Sequence, residues 1–439
     1  MDQAATAAQT QTATLTPQRG RTLALLILTA VGTVNFVDRQ ILSVLAEPIR
    51  TELHLSDTQL GLLTGLSFAL FYAIVGVPAA MLADRTHRVR LVAGACIVWS
   101  LFTGACGFAT NFWHLALARF GVGVGEAGGT APSLSILADY YPPAQRPAVI
   151  GMFTVNGPLG VFVGTSLGGW AAGEFGWRWA FFGVAAIGCV FAVILAVVVR
   201  EPTRGGLDPP ASLSVAPRAG LGATVRLFLA RPTLWLLLMA SGLAAFVSNG
   251  MLSWIPAYLM RVQGMPLAEV ARWFGPAAGI CMGLGIWGGG ALVNWAGQHS
   301  LKAYAYVPGV AMLICAPTLA LALMASSWQA SLALMIVPMI CCTSFVAPAL
   351  ALVQNLSPVA ARATATALLL LSFNIVGLGG GPLAVGMLSD TLAGAEVVDP
   401  LRIALISLGP VALLSALIYF AVSRVVTGDT RSVLQERAS

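Results

Sequence analysis

Four ionisable side chains lie deep within apolar stretches of this 439-residue chain, and all four are in its first half. Asp38 and Arg39 fall in the segment 22–45; Arg119 and Glu126 fall in the segment 112–137. A charge in hydrocarbon costs at least ~2.5–3.5 kcal/mol, so such residues face a bundle interior or a watery cavity. At about 1.5 Å per residue, Asp38 and Arg119 each lie about 10 Å inside the same boundary, while Glu126 sits near the midplane. Two carboxyl groups and two guanidinium groups at these depths can exchange protons and clamp an anion. Arg119 and Glu126 are seven apart, which places them on one helix face. Asp38 and Arg119, matched in depth and opposite in sign, are either a static pair joining two helices or part of a coupling site. Glu126, two turns from the cation on its own helix, is the first candidate proton carrier and Asp38 the second. Arg39 projects about 100° away from Asp38. Gly121, Gly123 and Gly125 strip the intervening helix of bulk, either for close helix approach or for substrate room.

These residues need elements that hold them in lipid. Of the 439 residues, 58% are hydrophobic and only 9% charged, against about 25% charged in a soluble domain. A soluble chain this apolar would expose aggregating patches. Twelve apolar runs are long enough to cross ~30 Å of hydrocarbon as helices: roughly 22–45, 58–82, 89–109, 112–137, 146–170, 178–199, 232–259, 270–293, 303–325, 329–353, 363–388 and 402–423. The fold class expected is therefore an all-α integral membrane protein. Residues 1–20 read as a disordered tail rather than a signal peptide, and 425–439 as a second tail. Of the 23 lysines and arginines, two are intramembrane and only Arg50, Arg178, Arg261, Arg272 and Arg402 fall on the side opposite both termini. The remaining basic residues put both termini in the cytoplasm of a bacterial-type plasma membrane.

Several function classes are excluded. The seven cysteines all fall in predicted helices and, with the four histidines, show no disulfide or metal spacing. No HExxH, GxSxG, P-loop or GxGxxG occurs in a suitable context, which argues against an enzyme, an ATP-driven pump and any bound cofactor. The formal charge of +6 is explained by its loop location and does not indicate nucleic acid.

The segment 200–231, with Gly205, Gly206, Pro209 and Pro210, reads as a mobile cytoplasmic linker between six-helix halves 21–199 and 232–424. Internal repeats support that cut. Asp84-Arg85 answers Asn294-Trp295, Arg146 answers Arg362, and Gly157-Pro158 answers Gly381-Pro382, at offsets of 210, 216 and 224. Parallel six-helix repeats with a long central loop are the plan of major facilitator transporters, whose substrate lies between the halves. The chain resembles that superfamily along nearly its whole length. Asp84-Arg85-Thr86-His87-Arg88 is similar to its loop signature, with Ala80 and His87 where glycines are usual. Asn35-Phe-Val-Asp38-Arg39-Gln40, Arg119-Phe-Gly-Val-Gly-Val-Gly-Glu126-Ala and Ala138-Asp-Tyr-Tyr-Pro-Pro143 resemble the Spinster branch.

The resemblance implies a secondary transporter, acting as a monomer among membrane lipids, that moves an amphipathic sphingolipid or lysophospholipid by alternating access. Protons are the expected coupling ion. A proton-driven organic-anion symporter or a multidrug exporter of the same superfamily is the alternative. Arg119, Arg39, Asn35, Asn249, Trp254 and Asn374 are the expected substrate-binding or ion-pair residues. The resemblance further implies that Asp84, Arg85, Arg88 and Asp139 latch the cytoplasmic mouth; positive-inside charge and helix capping are the alternative. Gly157, Pro158, Gly381 and Pro382 are the expected hinges, since a proline inside a helix removes a backbone bond.

Overall fold

A computed structural model describes residues 18–207, 221–358 and 361–438, and those residues form helices and connections with no strand. Eleven helices are long and apolar enough to cross a bilayer. They are α1 (Gly20–Val44), α2 (Asp57–Ala83), α3 (Arg88–Cys106), α5 (Arg146–Phe175), α6 (Trp177–Val198), α7 (Pro232–Arg261), α8 (Leu267–Gly297), α9 (Ala303–Leu323), α10 (Trp328–Leu356), α11 (Thr364–Gly394) and α12 (Pro400–Asp429). The twelfth crossing, α4, is split into Phe112–Glu126 and Thr130–Tyr140. The turn between the pieces holds Gly128 and Gly129, and Glu126 is the last residue before it.

Local chemistry starts and stops these helices. Asn111 accepts a bond from the His114 backbone at the head of α4, and Ser327 accepts one from Ala330 at the head of α10. Such caps satisfy backbone donors that the helix itself cannot. The two caps are 216 residues apart, and so are the helical pieces Thr130–Tyr140 and Val346–Leu356 that follow the breaks in α4 and α10. The offset read between Arg146 and Arg362 therefore relates two helices that are interrupted at matching places. Around the bundle, side chains such as Leu117, Val197, Trp287 and Leu417 are exposed, an apolar outside suited to lipid.

The halves meet along α2 with α11 and along α5 with α8. Glycine sets how closely they approach: a Cβ on Gly61 would lie 2.5 Å from the Pro382 carbonyl, and one on Gly279 would lie 2.7 Å from that of Pro158. The two Gly-Pro pairs thus sit on the seams between halves. Helix α5 is interrupted at Thr154 and Val155, just before Gly157-Pro158. In α11 a π-helical stretch, Phe373–Gly380, ends where Gly381-Pro382 begins.

Three boundaries differ from the sequence reading. Helix starts at Gln18, inside the expected tail, while residues 1–17 lie outside the described residues. Within 200–231, Leu221–Ala230 is a helix, and Arg88 holds Glu201 and the Pro202 carbonyl; residues 208–220 lie outside the described residues. The last helix continues through 425–438, because Leu408–Ala438 is unbroken.

Candidate functional site

A cavity of about 290 Å³ lies between the halves, at the small end of the ~300–1,000 Å³ range of ligand sites. From the first half it is lined by Arg39 together with Phe36, Gln40, Ser43, Thr64 and Val161. From the second half come Ser248, Asn249, Asn374 and a soft apolar wall that includes Met251, Met282, Met339, Phe345 and Phe373. Arg39 is the charged residue of this lining.

The buried charges pair in a crossed pattern. Arg39 donates from Nε to Glu126 at 2.8 Å, and Glu126 is fully buried. The Arg39 guanidinium lies over Phe68, Tyr72 and Phe36, with centroid distances of 4.6, 5.1 and 5.3 Å. Asn35, which is buried, is a polar neighbour of Glu126. Arg119 donates at 3.2 Å to the Asp38 backbone carbonyl rather than to its carboxylate. The Asp38 carboxyl has no ion-pair partner and neither oxygen accepts a well-formed bond among the described residues; Thr103 and Arg119 are its polar neighbours.

This corrects the Asp38–Arg119 pairing expected from depth and supplies Glu126 with a cation, Arg39, from another helix. Side chains on a helix tilt toward its N-terminus. Helices α1 and α4 run in opposite directions, so Arg39 leans toward the midplane while Glu126 leans the other way to meet it. The same tilt drives the Asp38 and Arg119 side chains apart although their backbones are level. Glu126 is accordingly not a lone carboxyl. The glycine question also resolves: a Cβ on Gly121 would lie 2.3 Å from the Phe102 ring and one on Gly125 2.7 Å from the Trp99 backbone. These glycines serve close helix packing, and α4 contributes nothing to the cavity lining.

The other expected site residues are scattered. Asn249 and Asn374 line the cavity; each donates its amide nitrogen at 2.8 Å to the carbonyl four residues earlier, Ala245 and Leu370 respectively. Trp254 is buried outside the lining and donates to the Pro382 carbonyl at 2.8 Å, tying α7 to α11. Arg88 is almost fully buried and pairs with Asp139 at 2.5 Å and Glu201 at 2.6 Å, all within the first half. Arg85 is exposed, and the Asp84 side chain lies outside the described residues. In this state Arg88 and Asp139 brace the first half internally and do not bridge the two.

The bridging network lies at the opposite end, and sequence reasoning missed it. Arg261 on α7 binds Glu47 at 2.7 and 3.0 Å and Asp57 at 2.7 and 2.9 Å. Asp390 accepts from the Asp57 and Thr58 backbones at 3.0 and 2.7 Å, and Ser389 donates to Asp57 at 2.6 Å. The halves are therefore ionically sealed at the end away from Arg88 and Asp139. The available signal was Arg261 itself, one of the few basic residues on the poorly charged side.

The profile of the Major Facilitator Superfamily matches residues 28–315. An MFS-type efflux pump of Mycolicibacterium smegmatis is 32% identical over 402 residues, 90% of this chain and 91% of that one. Protein spinster homolog 1 of Homo sapiens is 29% identical over 250 residues, 56% of this chain and 47% of that protein, so this match spans about half of the human relative. The fold superposes with a TM-score of 0.86 and 32% identity on a bacterial homolog to the human lysosomal transporter Spinster, crystallised in an inward-facing and unoccupied conformation. That match covers 94% of this chain and 99% of the other.

Proposed function

This chain belongs to the major facilitator superfamily, in its Spinster-like branch, as an integral membrane transporter and not an enzyme, and from that premise we propose that it carries an amphipathic, lipid-like molecule by proton-coupled alternating access. The substrate is of the sphingolipid or lysophospholipid class, and the carrier works as a monomer. The observation that carries this reading is the Arg39–Glu126 pair at the edge of a cavity whose far wall is uncharged and mostly apolar, with a few neutral polar groups. An acidic head group at Arg39 competes with Glu126 for the guanidinium, so Glu126 takes up a proton when substrate displaces it and returns to Arg39 when substrate leaves. Asp38, buried without an ion-pair partner one residue away, is the second proton site. Methionine side chains adapt to irregular apolar shapes, which supports a flexible hydrocarbon tail against Met251, Met282 and Met339.

With both termini in the cytoplasm of a bacterial plasma membrane, the Arg261 seal faces outward and the state described is inward-facing. Gly157-Pro158 and Gly381-Pro382, at the seams, are the flexure points as the halves rock. Asp84, Arg85, Arg88 and Asp139 form the inner latch of the opposite state.

One observation favours a second reading. The relative matched over nine-tenths of both chains is an efflux pump, which supports export of amphipathic drugs through the same cavity. Melting the purified protein with lysophospholipids, cationic drugs and small dicarboxylates separates the readings. A ligand at 100 times its Kd stabilises by about 2.7 kcal/mol. Lysophospholipids alone are expected to raise Tm. A shift with dicarboxylates alone would overturn the lipid reading, and a shift with drugs alone would favour efflux.

A further inference from the structure

The charged site of the first half has a neutral image in the second. The offset of 210 that carries Asp84 onto Asn294 also carries Asp38 onto Ser248 and Arg39 onto Asn249. The offset of 216 that relates α4 to α10 carries Glu126, the last residue before the α4 break, onto Cys342, the first residue of the α10 break. Ser248, Asn249 and Cys342 all line the cavity. They are also neighbours, since the Cys342 thiol lies 3.7 Å from the Ser248 hydroxyl. The second half has thus kept the position of the ionic cluster while losing its charge.

The amides fix what this image can bind. Asn249 and Asn374 each spend an N–H on the carbonyl one turn back, at 2.8 Å, which sets the orientation of the amide. Their side-chain oxygens then accept no bond among the described residues, and both residues line the cavity. An amide oxygen accepts and never donates. Across the cavity the polarity is reversed. Arg39 is a pure donor, and beside it Gln40, 4% exposed, has a side-chain nitrogen with no partner among the described residues. One wall therefore offers donors and the other offers acceptors.

We propose that Asn249 and Asn374, which line the same cavity as Ser248, form an acceptor subsite that selects substrates whose head group carries an N–H or O–H donor in addition to its acidic oxygen. This rests on the amphipathic-substrate reading above and adds a requirement to it: the head group must span from Arg39 to the asparagines. A head group whose nitrogen is fully methylated leaves both amide oxygens facing apolar matter, and unpaired buried acceptors are what make polar sites selective.

The test uses the purified full chain and two single-chain amphipaths of equal acyl length, one with a phosphoethanolamine and one with a phosphocholine head group. Binding of each is measured to the wild type, to Asn249→Leu and to Asn374→Leu. The wild type is expected to favour phosphoethanolamine by about tenfold. Either substitution should reduce that preference to about twofold or less, because it removes the acceptor used by phosphoethanolamine and the unpaired oxygen that disfavours phosphocholine. Phosphocholine should bind more tightly than to the wild type, which a misfolded variant could not do. Equal affinities in the wild type would overturn the subsite. A tenfold preference that survives in both variants would overturn its assignment to these residues. Binding of neither amphipath would overturn the lipid-like substrate itself, a result separate from the other two.

Discussion

Replacing Arg261 with glutamine should open the sealed end of this protein. Arg261 sits on the second half, while Glu47 and Asp57 sit on the first, so its four close contacts exist only while that end is shut. Breaking one partner of a fully buried pair costs ~3–5 kcal/mol, and a fully exposed pair contributes ~0–1 kcal/mol. With Arg261 21%, Glu47 18% and Asp57 6% exposed, an intermediate value of about 2 kcal/mol is appropriate. At ~1.4 kcal/mol per tenfold, that is a shift of roughly thirtyfold toward the state open at that end. Arg50 supplies the control. It also binds Glu47, at 2.9 Å, but three residues away in the same short helix, so that pair moves as one body and Arg50→Gln should shift the equilibrium by less than about twofold. Spin labels at Thr51, in that short helix of the first half, and at Val398, in the turn before α12, both exposed at this end, would report the distance by pulsed dipolar spectroscopy. A long-distance population that grows in Arg261→Gln and not in Arg50→Gln is expected. Unchanged distances in Arg261→Gln, or equal changes in both, would refute the assignment of Arg261 as the closure element.

A double-mutant cycle on Arg39→Gln and Glu126→Gln, read as Tm of the purified protein, should show each single change costing about 3 kcal/mol and the double change much less than their sum; additive losses would show that the two do not act as a pair. Gly386→Val should loosen the same outer seam, because its Cβ would lie 2.2 Å from the Asp57 carbonyl, and the label pair above should lengthen. Glu52 is held below its ordinary pKa of 4.5 by the Trp177 indole donor and by Arg178. A depressed carboxyl pKa contributes stability that is present above the unfolded value and is lost as pH falls through the folded one, so Tm should fall more steeply below about pH 4.5 in the wild type than in Glu52→Gln. A cysteine reporter at residue 215 should label only from the cytoplasm, and labelling from outside would invert the proposed orientation.

What the sequence made legible follows from a length scale. A helix must be about 20 residues long and apolar to cross hydrocarbon, so the crossings and the repeat stood out with no knowledge of packing. Even α4, which is broken at Glu126, was readable because its two pieces together have the right length. Pairing was less legible because depth locates backbones and not side-chain ends. Asp38 and Arg119 are level and diverge, whereas Arg39 and Glu126 start at different depths and converge, a consequence of tilt that only the antiparallel course of α1 and α4 explains. The outer seal was harder still. Glu47 and Asp57 lie in the first turns of their helices, where acidic residues are expected as caps and solvated charge, and Asp57 even follows a capping serine. Asp390 lies near the C-terminal end of α11 and gives no such cue. Nothing in the spacing of those residues indicates that they converge on Arg261. The helix Leu221–Ala230 within the connection was missed for a related reason, since the glycines and prolines upstream of it suggested irregular chain throughout.

In the mechanism proposed, proton movement through Glu126 drives the substrate through the cavity beside Arg39. Its most direct test is lysophospholipid flux in proteoliposomes with and without an imposed proton gradient, for the wild type and for Glu126→Gln. The gradient should drive uphill flux in the wild type, and Glu126→Gln should retain counterflow exchange of preloaded substrate while losing the gradient-driven component. Wild-type flux that ignores the gradient, or full gradient-driven flux in Glu126→Gln, would contradict it.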